Sequence, residues 1–131
     1  MILIIGGAYE GKTGYAAKIL GISESEIIDG SVCDLCEVYS AKAVNNFHML
    51  IKRLTEINEK DAVEFVADIC GKNPNIVIIS DEIGCGIIPL DKNERRWREE
   101  TGRACCKAAE LSEAVVRINC GISSVIKGEL P

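Results

Sequence analysis

The sequence lacks any long apolar run and any excess of positive charge. No stretch approaches the ~20 apolar residues that a helix needs to span a bilayer, so we expect no membrane span. The formal net charge is −5, with 15 basic residues against 20 acidic ones. Because proteins that bind duplex DNA or RNA present a basic surface, this balance argues against a nucleic-acid partner. A small phosphorylated ligand stays compatible with it, since such a ligand needs only local positive potential.

Histidine is nearly absent as well, and the cysteines lack a zinc-binding pattern. His48 is the only histidine, and among seven cysteines only Cys33 and Cys36 form a C-x-x-C pair. Without a second pair or a nearby histidine, we interpret these two as small apolar fillers. The apolar residues 1–5 have no basic leader and run into glycine, so they predict a strand and not a signal peptide. We therefore expect reduced thiols and a cytoplasmic location.

What is present is the composition of an ordinary globular domain, 47% hydrophobic and 27% charged. The 131 residues suffice for one packed core and not for two, so we expect a single domain over residues 1–131. Continuous apolar runs at residues 2–5 and 76–79 predict strands that are buried on both faces of a parallel sheet.

Helical spacing and turn residues predict the remaining elements. Val44, Phe47, Ile51 and Leu54 recur at helical spacing, with Ser40 as the predicted N-cap. Strands that alternate with helices predict right-handed crossovers and a mostly parallel sheet. The other predicted helices cover residues 12–20, 61–71 with Asp61 at the start, and 92–112 with Asp91 as N-cap; short strands are predicted at residues 27–30, 115–119 and 125–127.

Residues 6–13 match the pattern G-x-x-x-x-G-K-[ST] without a mismatch: Gly6, Gly7, Ala8, Tyr9, Glu10, Gly11, Lys12 and Thr13. In such a loop successive N–H groups point at phosphate oxygens, and the following helix adds partial positive charge. Lys12, which we expect to be exposed in the empty loop, supplies charge at the β- and γ-phosphates, and the Thr13 hydroxyl can bind Mg²⁺. A glycine-rich turn with an incidental lysine is disfavoured, because the motif follows a strand and precedes a helix. The sequence therefore predicts a P-loop NTPase-like, three-layer α/β fold that binds a nucleoside triphosphate, ATP or GTP.

Acidic residues end two of the predicted strands. Asp29 ends one of them, and Asp81 with Glu82 ends another. Ligands gather at the carboxyl ends of strands in parallel sheets, so each is a candidate for the carboxylate that holds the metal. A polar residue that merely closes a strand is the alternative at both places, and spacing alone does not choose. For His48, beside an apolar helical stripe, we favour packing over catalysis.

With these elements assigned, three stretches resemble the adenosylcobinamide kinase / adenosylcobinamide-phosphate guanylyltransferase family of cobalamin synthesis. The first is the opening strand and P-loop, residues 1–8 closed by residues 11–13. The second, residues 76–89, combines a strand, acidic residues and a G-x-G-(I/V)-(V/I)-P turn that few P-loop families have. The third runs from Arg98 through Gly102-Arg103, Ala108-Ala109 and residues 113–116 to residues 120–122.

The resemblance implies phosphorylation of the aminopropanol hydroxyl of a corrinoid, adenosylcobinamide, by ATP or GTP. It also implies that Asp29 is the carboxylate that holds Mg²⁺ together with Thr13. In this interpretation Lys12 neutralises charge on the transferred phosphoryl group, and Glu82 orients or deprotonates the attacking hydroxyl. Related proteins assemble into oligomers, which leaves a homo-oligomer open.

One departure from the family limits the expectation to the kinase step. Longer members have a segment between the first helix and the acidic strand that holds the histidine accepting GMP. Here residues 21–26 fill that gap and contain no histidine, and His48 follows Asp29 in a different predicted helix. We therefore expect phosphorylation without a covalent GMP adduct. The alternative function is a non-catalytic sensor that binds ATP or GTP and signals to a partner.

Overall fold

The computed structural model describes residues 1–57, 60–83 and 90–130. Within them the chain forms a six-stranded sheet with helices on both faces. The strands are β1 (Ile2–Gly6), β2 (Ile28–Asp29), β3 (Ala43–Asn45), β4 (Val77–Asp81), β5 (Ala114–Asn119) and β6 (Ile122–Lys127). The helices are α1 (Lys12–Leu20), α2 (Phe47–Ile57), α3 (Ala62–Lys72) and α4 (Lys92–Leu111).

The strand order brings the ends of distant segments together. The sheet runs β2-β3-β4-β1-β5-β6, and each neighbouring pair is parallel except β5 with β6. Gly6 at the end of β1 lies opposite Asp81 on β4 and opposite Ile118 on β5. The prediction of a mostly parallel α/β sheet is confirmed, and the strand that precedes the P-loop lies in its interior.

The central strands are apolar without interruption because both of their faces are buried. On β1, Leu3 packs in the cluster formed with α2, α3 and α4, whereas Ile2 and Ile4 pack with α1. Phe47 and Phe65 are the largest fully buried side chains of the first cluster. These two clusters on opposite faces of one sheet give the predicted three layers.

The predicted starts of α3 and α4 are confirmed by their capping contacts. The Asp61 carboxylate accepts hydrogen bonds from the backbone N–H groups of Val63 and Glu64 at 3.1 and 3.2 Å. Asp91 accepts one from the N–H of Asn93 at 2.8 Å. Each carboxylate satisfies backbone donors that a helix start leaves without a partner.

The predicted helix that Ser40 caps is wrong in its first part, because α2 begins only at Phe47. Ala43 and Val44 are fully buried in β3, between β2 and β4. Asn46 then has φ 53°, a left-handed conformation that ends the strand and cannot be part of a helix. The strand predicted at residues 125–127 is also longer, since β6 starts at Ile122. The glycine-rich turn at residues 84–86 and Pro89 lie outside the described residues.

Among the helices of residues 1–57, 60–83 and 90–130, none combines the length and the apolar composition that a membrane span requires.

Candidate functional site

The loop between β1 and α1 forms one wall of a cavity of about 370 Å³ at the carboxyl edge of the sheet. Residues 8–11 of the loop and residues 12–13 at the start of α1 line it, together with Asn45 and Asn46 at the end of β3 and Asp81 at the end of β4. We call it the phosphate cavity. It therefore joins three strand ends, of which the sequence indicated the loop and Asp81 but not the two asparagines.

Two residues of the loop have left-handed backbone conformations. Gly11, with φ 87°, occupies the residue before α1 in a left-handed conformation, and Tyr9 has φ 60° with a fully exposed side chain. Gly6 has no room for a side chain, because a Cβ there would overlap the carbonyl oxygen of Ile118 on β5. The two glycines thus serve different purposes, one for backbone conformation and one for close approach.

Glu10 ties the loop to the turn between β5 and β6. Its carboxylate accepts a hydrogen bond from the N–H of Cys120, and its carbonyl accepts one from the N–H of Gly121 at 3.0 Å. The motif itself permits any residue at this position, so the contact could not be predicted from it. Because the loop is braced from outside, less conformational entropy remains to be lost when a ligand binds.

Lys12 is buried in the structure, so the expectation that it is exposed is wrong. Its side chain is only 6% exposed, and its Nζ lies 2.7 Å from Oδ1 of Asp81 and 2.5 Å from the carbonyl oxygen of Gly7. A buried ammonium needs such partners, because leaving it unpaired would cost several kcal/mol. The strand pairing of β1 with β4 supplies the carboxylate. A phosphate that enters the cavity therefore competes with Asp81 for Lys12.

His48, on the first turn of α2, contacts the same aspartate. Its Nδ1 accepts a hydrogen bond from the backbone N–H of Asp81 at 3.2 Å, and its Nε2 lies 3.5 Å from Oδ2 of Asp81. On its other side, Nε1 of Trp97 donates to the His48 carbonyl at 2.7 Å. Burial lowers the pKa of His48 below its ordinary 6.5; Asp81 raises it and Lys12 lowers it further. The imidazole is therefore neutral near pH 7, with its proton on the nitrogen that faces the carboxylate.

The sequence interpretation of His48 as a packing residue missed this contact. The residue is indeed buried, at 7% exposure. The missing information was the end of β3: a helix that starts directly after a parallel strand has its first turn at the ligand edge of the sheet. Had β3 been recognised, His48 and the two asparagines would have been placed at this edge.

Asp29, the other predicted metal carboxylate, lies outside the phosphate cavity. It ends β2 at the border of the sheet, and β3 and β4 lie between it and β1. Its carboxylate accepts hydrogen bonds from the N–H and hydroxyl of Ser31 at 3.0 and 2.7 Å and from the side-chain amide of Asn46 at 2.9 Å. These bonds, that of Asn46 first, lower the pKa of Asp29. Asp29 does not line the phosphate cavity and is linked to it through Asn46.

Glu82 follows Asp81 on the opposite side of the strand end. Its carboxylate pairs with the guanidinium of Arg117 on β5 at 2.9 Å, and its backbone N–H donates to the carbonyl of Gly6 at 3.0 Å. It is half-buried and is not among the residues that line the phosphate cavity. Of the two acidic residues that the sequence presented as one pair, only Asp81 therefore lines the phosphate cavity.

The described residues contain no cluster of three metal-binding side chains, whether histidine, cysteine, aspartate or glutamate, that could hold an ion. Cys33 is buried and Cys36 is exposed. A nucleotide-bound Mg²⁺ makes a smaller demand, because phosphates and water supply most of its ligands. One hydroxyl, such as that of Thr13 in the cavity wall, and one carboxylate fit that chemistry.

Comparison with models of protein families matches residues 38–126 to the family described as cobinamide kinase / cobinamide phosphate guanyltransferase. The match covers more than half of the chain, and the family consists of enzymes that use a nucleotide in cobalamin biosynthesis. The match begins after the P-loop. The loop motif therefore indicates nucleotide binding separately from the family match. No curated protein matches the chain.

Proposed function

We propose that this chain, which belongs to the cobinamide kinase / cobinamide phosphate guanyltransferase family, is a nucleotide-dependent kinase that phosphorylates the aminopropanol hydroxyl of adenosylcobinamide. The observation that supports this most strongly is the P-loop cavity with Lys12 held against Asp81. The loop amides and Lys12 would bind the β- and γ-phosphates of ATP or GTP. Because such a transfer needs little covalent help from the protein, positioning and charge account for most of its catalysis.

For the metal, the proposal is that Thr13 and a strand-end carboxylate hold Mg²⁺. Bound there, the ion would neutralise charge that develops on the phosphate oxygens. Asp81 is our leading candidate for the carboxylate, because it lines the phosphate cavity and contacts Lys12. Asp29, the choice that the family resemblance implies, stays the second candidate, since its link to the cavity is the amide of Asn46.

For the acceptor, the proposal is that Glu82 takes the proton of the attacking hydroxyl. Arg117 fixes the direction of this carboxylate through their 2.9 Å contact. In the transfer the hydroxyl O–H bond breaks toward Glu82 and a new O–P bond forms. The bond between the γ-phosphorus and the bridging oxygen breaks, so a nucleoside diphosphate leaves.

The surroundings of His48 support a kinase that forms no GMP adduct. A nucleophilic histidine needs a free, accessible ring nitrogen within reach of the α-phosphate. Here Nδ1 already accepts the N–H of Asp81, Nε2 faces the carboxylate, and the side chain is 7% exposed. His48 is therefore proposed as a positioning residue for Asp81, and the guanylyl-transfer step is not proposed.

Turnover tests the proposal directly. Protein, Mg²⁺, ATP or GTP and cobinamide are mixed, and nucleoside diphosphate and cobinamide phosphate are measured. We expect both products in equal amounts and only when the corrinoid is present. Nucleotide binding without any corrinoid-dependent product would favour the non-catalytic sensor instead.

Two further measurements address the adduct and the assembly. Incubation with α-labelled GTP, followed by intact mass measurement, tests whether a covalent GMP adduct is absent. Light scattering tests the homo-oligomer, which stays a prediction.

A further inference from the structure

A second cavity, of about 310 Å³, lies between α4 and the ends of β1, β4 and β5. It differs from the phosphate cavity in character, because most of its wall is apolar. The residues on which the argument depends are Ile5, Asp81, Glu82, Ile83, Thr101 and Cys105. We call it the α4 cavity.

Asp81 lines both cavities, so they are neighbours across a single residue. Phosphoryl transfer requires the donor phosphate and the acceptor oxygen to meet roughly in line. A nucleotide in the phosphate cavity would present its terminal phosphate beside Lys12, which contacts Asp81. An acceptor that reaches this phosphate from the α4 cavity would pass Asp81 and Glu82.

Thr101 provides an independent indication that a ligand enters the α4 cavity. The residue is 2% exposed, and its Oγ1 is the one buried side-chain polar atom of the described residues without a hydrogen-bond partner among them. A buried hydroxyl without a partner destabilises the folded state. A polar group on a bound ligand would give it the missing partner.

Besides the charged residues Asp81, Glu82, Arg98 and Arg117, the wall has apolar and neutral side chains, which suit an uncharged, branched arm. Ile5 and Ile83 offer apolar contact, and the Cys105 thiol lies 3.8 Å from the Ser80 hydroxyl. Burial raises the pKa of Cys105, so the thiol is neutral near pH 7 and adds no charge to the wall. Two carboxylates line this wall: Asp81 is paired with Lys12, and Glu82 is paired with Arg117. Glu82 is the one that the kinase proposal assigns as proton acceptor.

We propose that the α4 cavity is the acceptor subsite, which takes the amide-linked 2-propanol arm of cobinamide. The arm's methyl group contacts Ile5 and Ile83, its amide pairs with the Thr101 hydroxyl, and its own hydroxyl faces Glu82. This assignment rests on the proposed kinase function and adds to it the side from which the acceptor enters. In the step itself the acceptor oxygen bonds to the γ-phosphorus, its proton passes to Glu82, and the nucleoside diphosphate departs.

Cobinamide binding tests the subsite separately from turnover. Equilibrium dialysis with a non-hydrolysable ATP or GTP analogue, followed by the visible absorbance of the corrin, gives the Kd of cobinamide. In Thr101→Val, which keeps the shape and removes the hydroxyl, we expect this Kd to rise about fivefold while the Kd of the nucleotide is unchanged. The free variant should have a higher Tm than the wild type, because an unpaired buried hydroxyl is gone. Thr55→Val is the matched control, since the Thr55 hydroxyl already bonds to the Lys52 carbonyl on α2.

A second variant fills the cavity. In Cys105→Leu we expect the affinity for cobinamide to fall at least about tenfold, because the added branched chain occupies the space of the arm. Cys106→Leu, at an exposed position on the same helix, is its control. If Cys105→Leu fails to fold, the Thr101 result decides alone.

The outcomes separate the subsite from the function. Phosphorylation of cobinamide by the wild type, with unchanged cobinamide affinity in both α4-cavity variants, would overturn the subsite and leave the kinase intact. A lower Tm in Thr101→Val would also overturn it, since the hydroxyl would then have a partner in the free protein. A wild type that binds nucleotide but neither binds nor phosphorylates cobinamide would overturn both.

Discussion

Two aspartates end parallel strands at the same edge of one sheet, and their surroundings differ in every respect that matters for a ligand. Asp81 ends β4 beside the P-loop strand, where it contacts Lys12 and His48. Asp29 ends β2 at the border, where Ser31 and Asn46 donate three hydrogen bonds to it. The first carboxylate faces groups that a nucleotide would rearrange, whereas the second is already satisfied by its own turn.

The turn after Asp29 has the features of a structural element. The Gly30 N–H donates to the carbonyl of Asn45 at 2.8 Å, and the N–H groups of Val32 and Cys33 donate to the carbonyl of Asp29. A Cβ on Gly30 would lie 2.8 Å from the carbonyl oxygens of Asn45 and Asn46, so this turn packs tightly on the end of β3. Strand order, and not order along the chain, therefore decides which acidic residue reaches the P-loop.

Replacing Asp81 should reduce activity more than any other substitution and distinguish the two carboxylates. Asp81→Asn should lower turnover about 100-fold or more, because a group that would hold the metal at the phosphates is lost. It should also remove the magnesium dependence of nucleotide affinity. Asp29→Asn is the matched variant, and its turnover should stay within about threefold of the wild type if hydrogen bonds to Asn46 are its main role. Steady-state kinetics and nucleotide titration with and without Mg²⁺ measure both; the reverse pattern would make Asp29 the metal carboxylate, as the resemblance implies.

Lys12→Ala should have the next largest effect. Replacing the ammonium removes charge-assisted hydrogen bonds to the phosphates, so we expect nucleotide affinity to fall about 100-fold. The fold should persist, which circular dichroism can verify. Lys18→Ala, at an exposed position of α1, serves as the control and should bind nucleotide like the wild type. Unchanged affinity in Lys12→Ala would contradict the assignment of residues 6–13 as the nucleotide site.

The fold could be predicted from the sequence because its signals are local. Buried runs such as residues 76–79, the motif at residues 6–13 and the caps Asp61 and Asp91 each depend on a few neighbouring residues. What could not be predicted depends on pairing between distant segments. A run as short as Ala43–Asn45 shows no period that distinguishes a strand from the first turn of a helix.

Prediction of the candidate site was also limited by unknown pairing between distant segments. The P-loop residues and both acidic strand ends were predicted, but weighing Asp81 against Asp29 required knowledge that β4 pairs with β1. The burial of Lys12 follows from that pairing as well. The contact of His48 with Asp81 depends on where β3 ends, which the helical interpretation of Val44 obscured.

Variants of His48 test the role of Asp81 through the side chain that holds its backbone. His48→Leu removes the acceptor for the Asp81 N–H and should lower turnover about tenfold through misplacement of the carboxylate. His48→Asn, whose side-chain oxygen can accept that hydrogen bond, should recover part of the loss. Because burial holds the pKa of His48 below 6.5, its contribution to stability is full above about pH 6.5 and decreases as the pH falls, when the unfolded chain gains the proton first. Urea unfolding at pH 7.5 and 5.5 should show this decrease in the wild type and not in either variant.

The smallest expected effect tests the structural role of Asp29. Asp29→Asn keeps the shape but weakens the hydrogen bonds from Ser31 and Asn46, so the free energy of unfolding at pH 7 should fall by about 1 kcal/mol. Since these bonds lower the pKa of Asp29 below its ordinary 3.8, the stabilisation is present above that pH and is lost as the pH falls through the folded pKa. The difference between wild type and variant in urea unfolding should therefore shrink at pH 3. A double-mutant cycle with Ser31→Ala should give a coupling of a few tenths of a kcal/mol to about 1 kcal/mol. The contradicting outcome is unchanged stability of Asp29→Asn at pH 7 together with impaired turnover. In that case Asp29 acts on the ligand, and the assignment of a purely structural role to it is wrong.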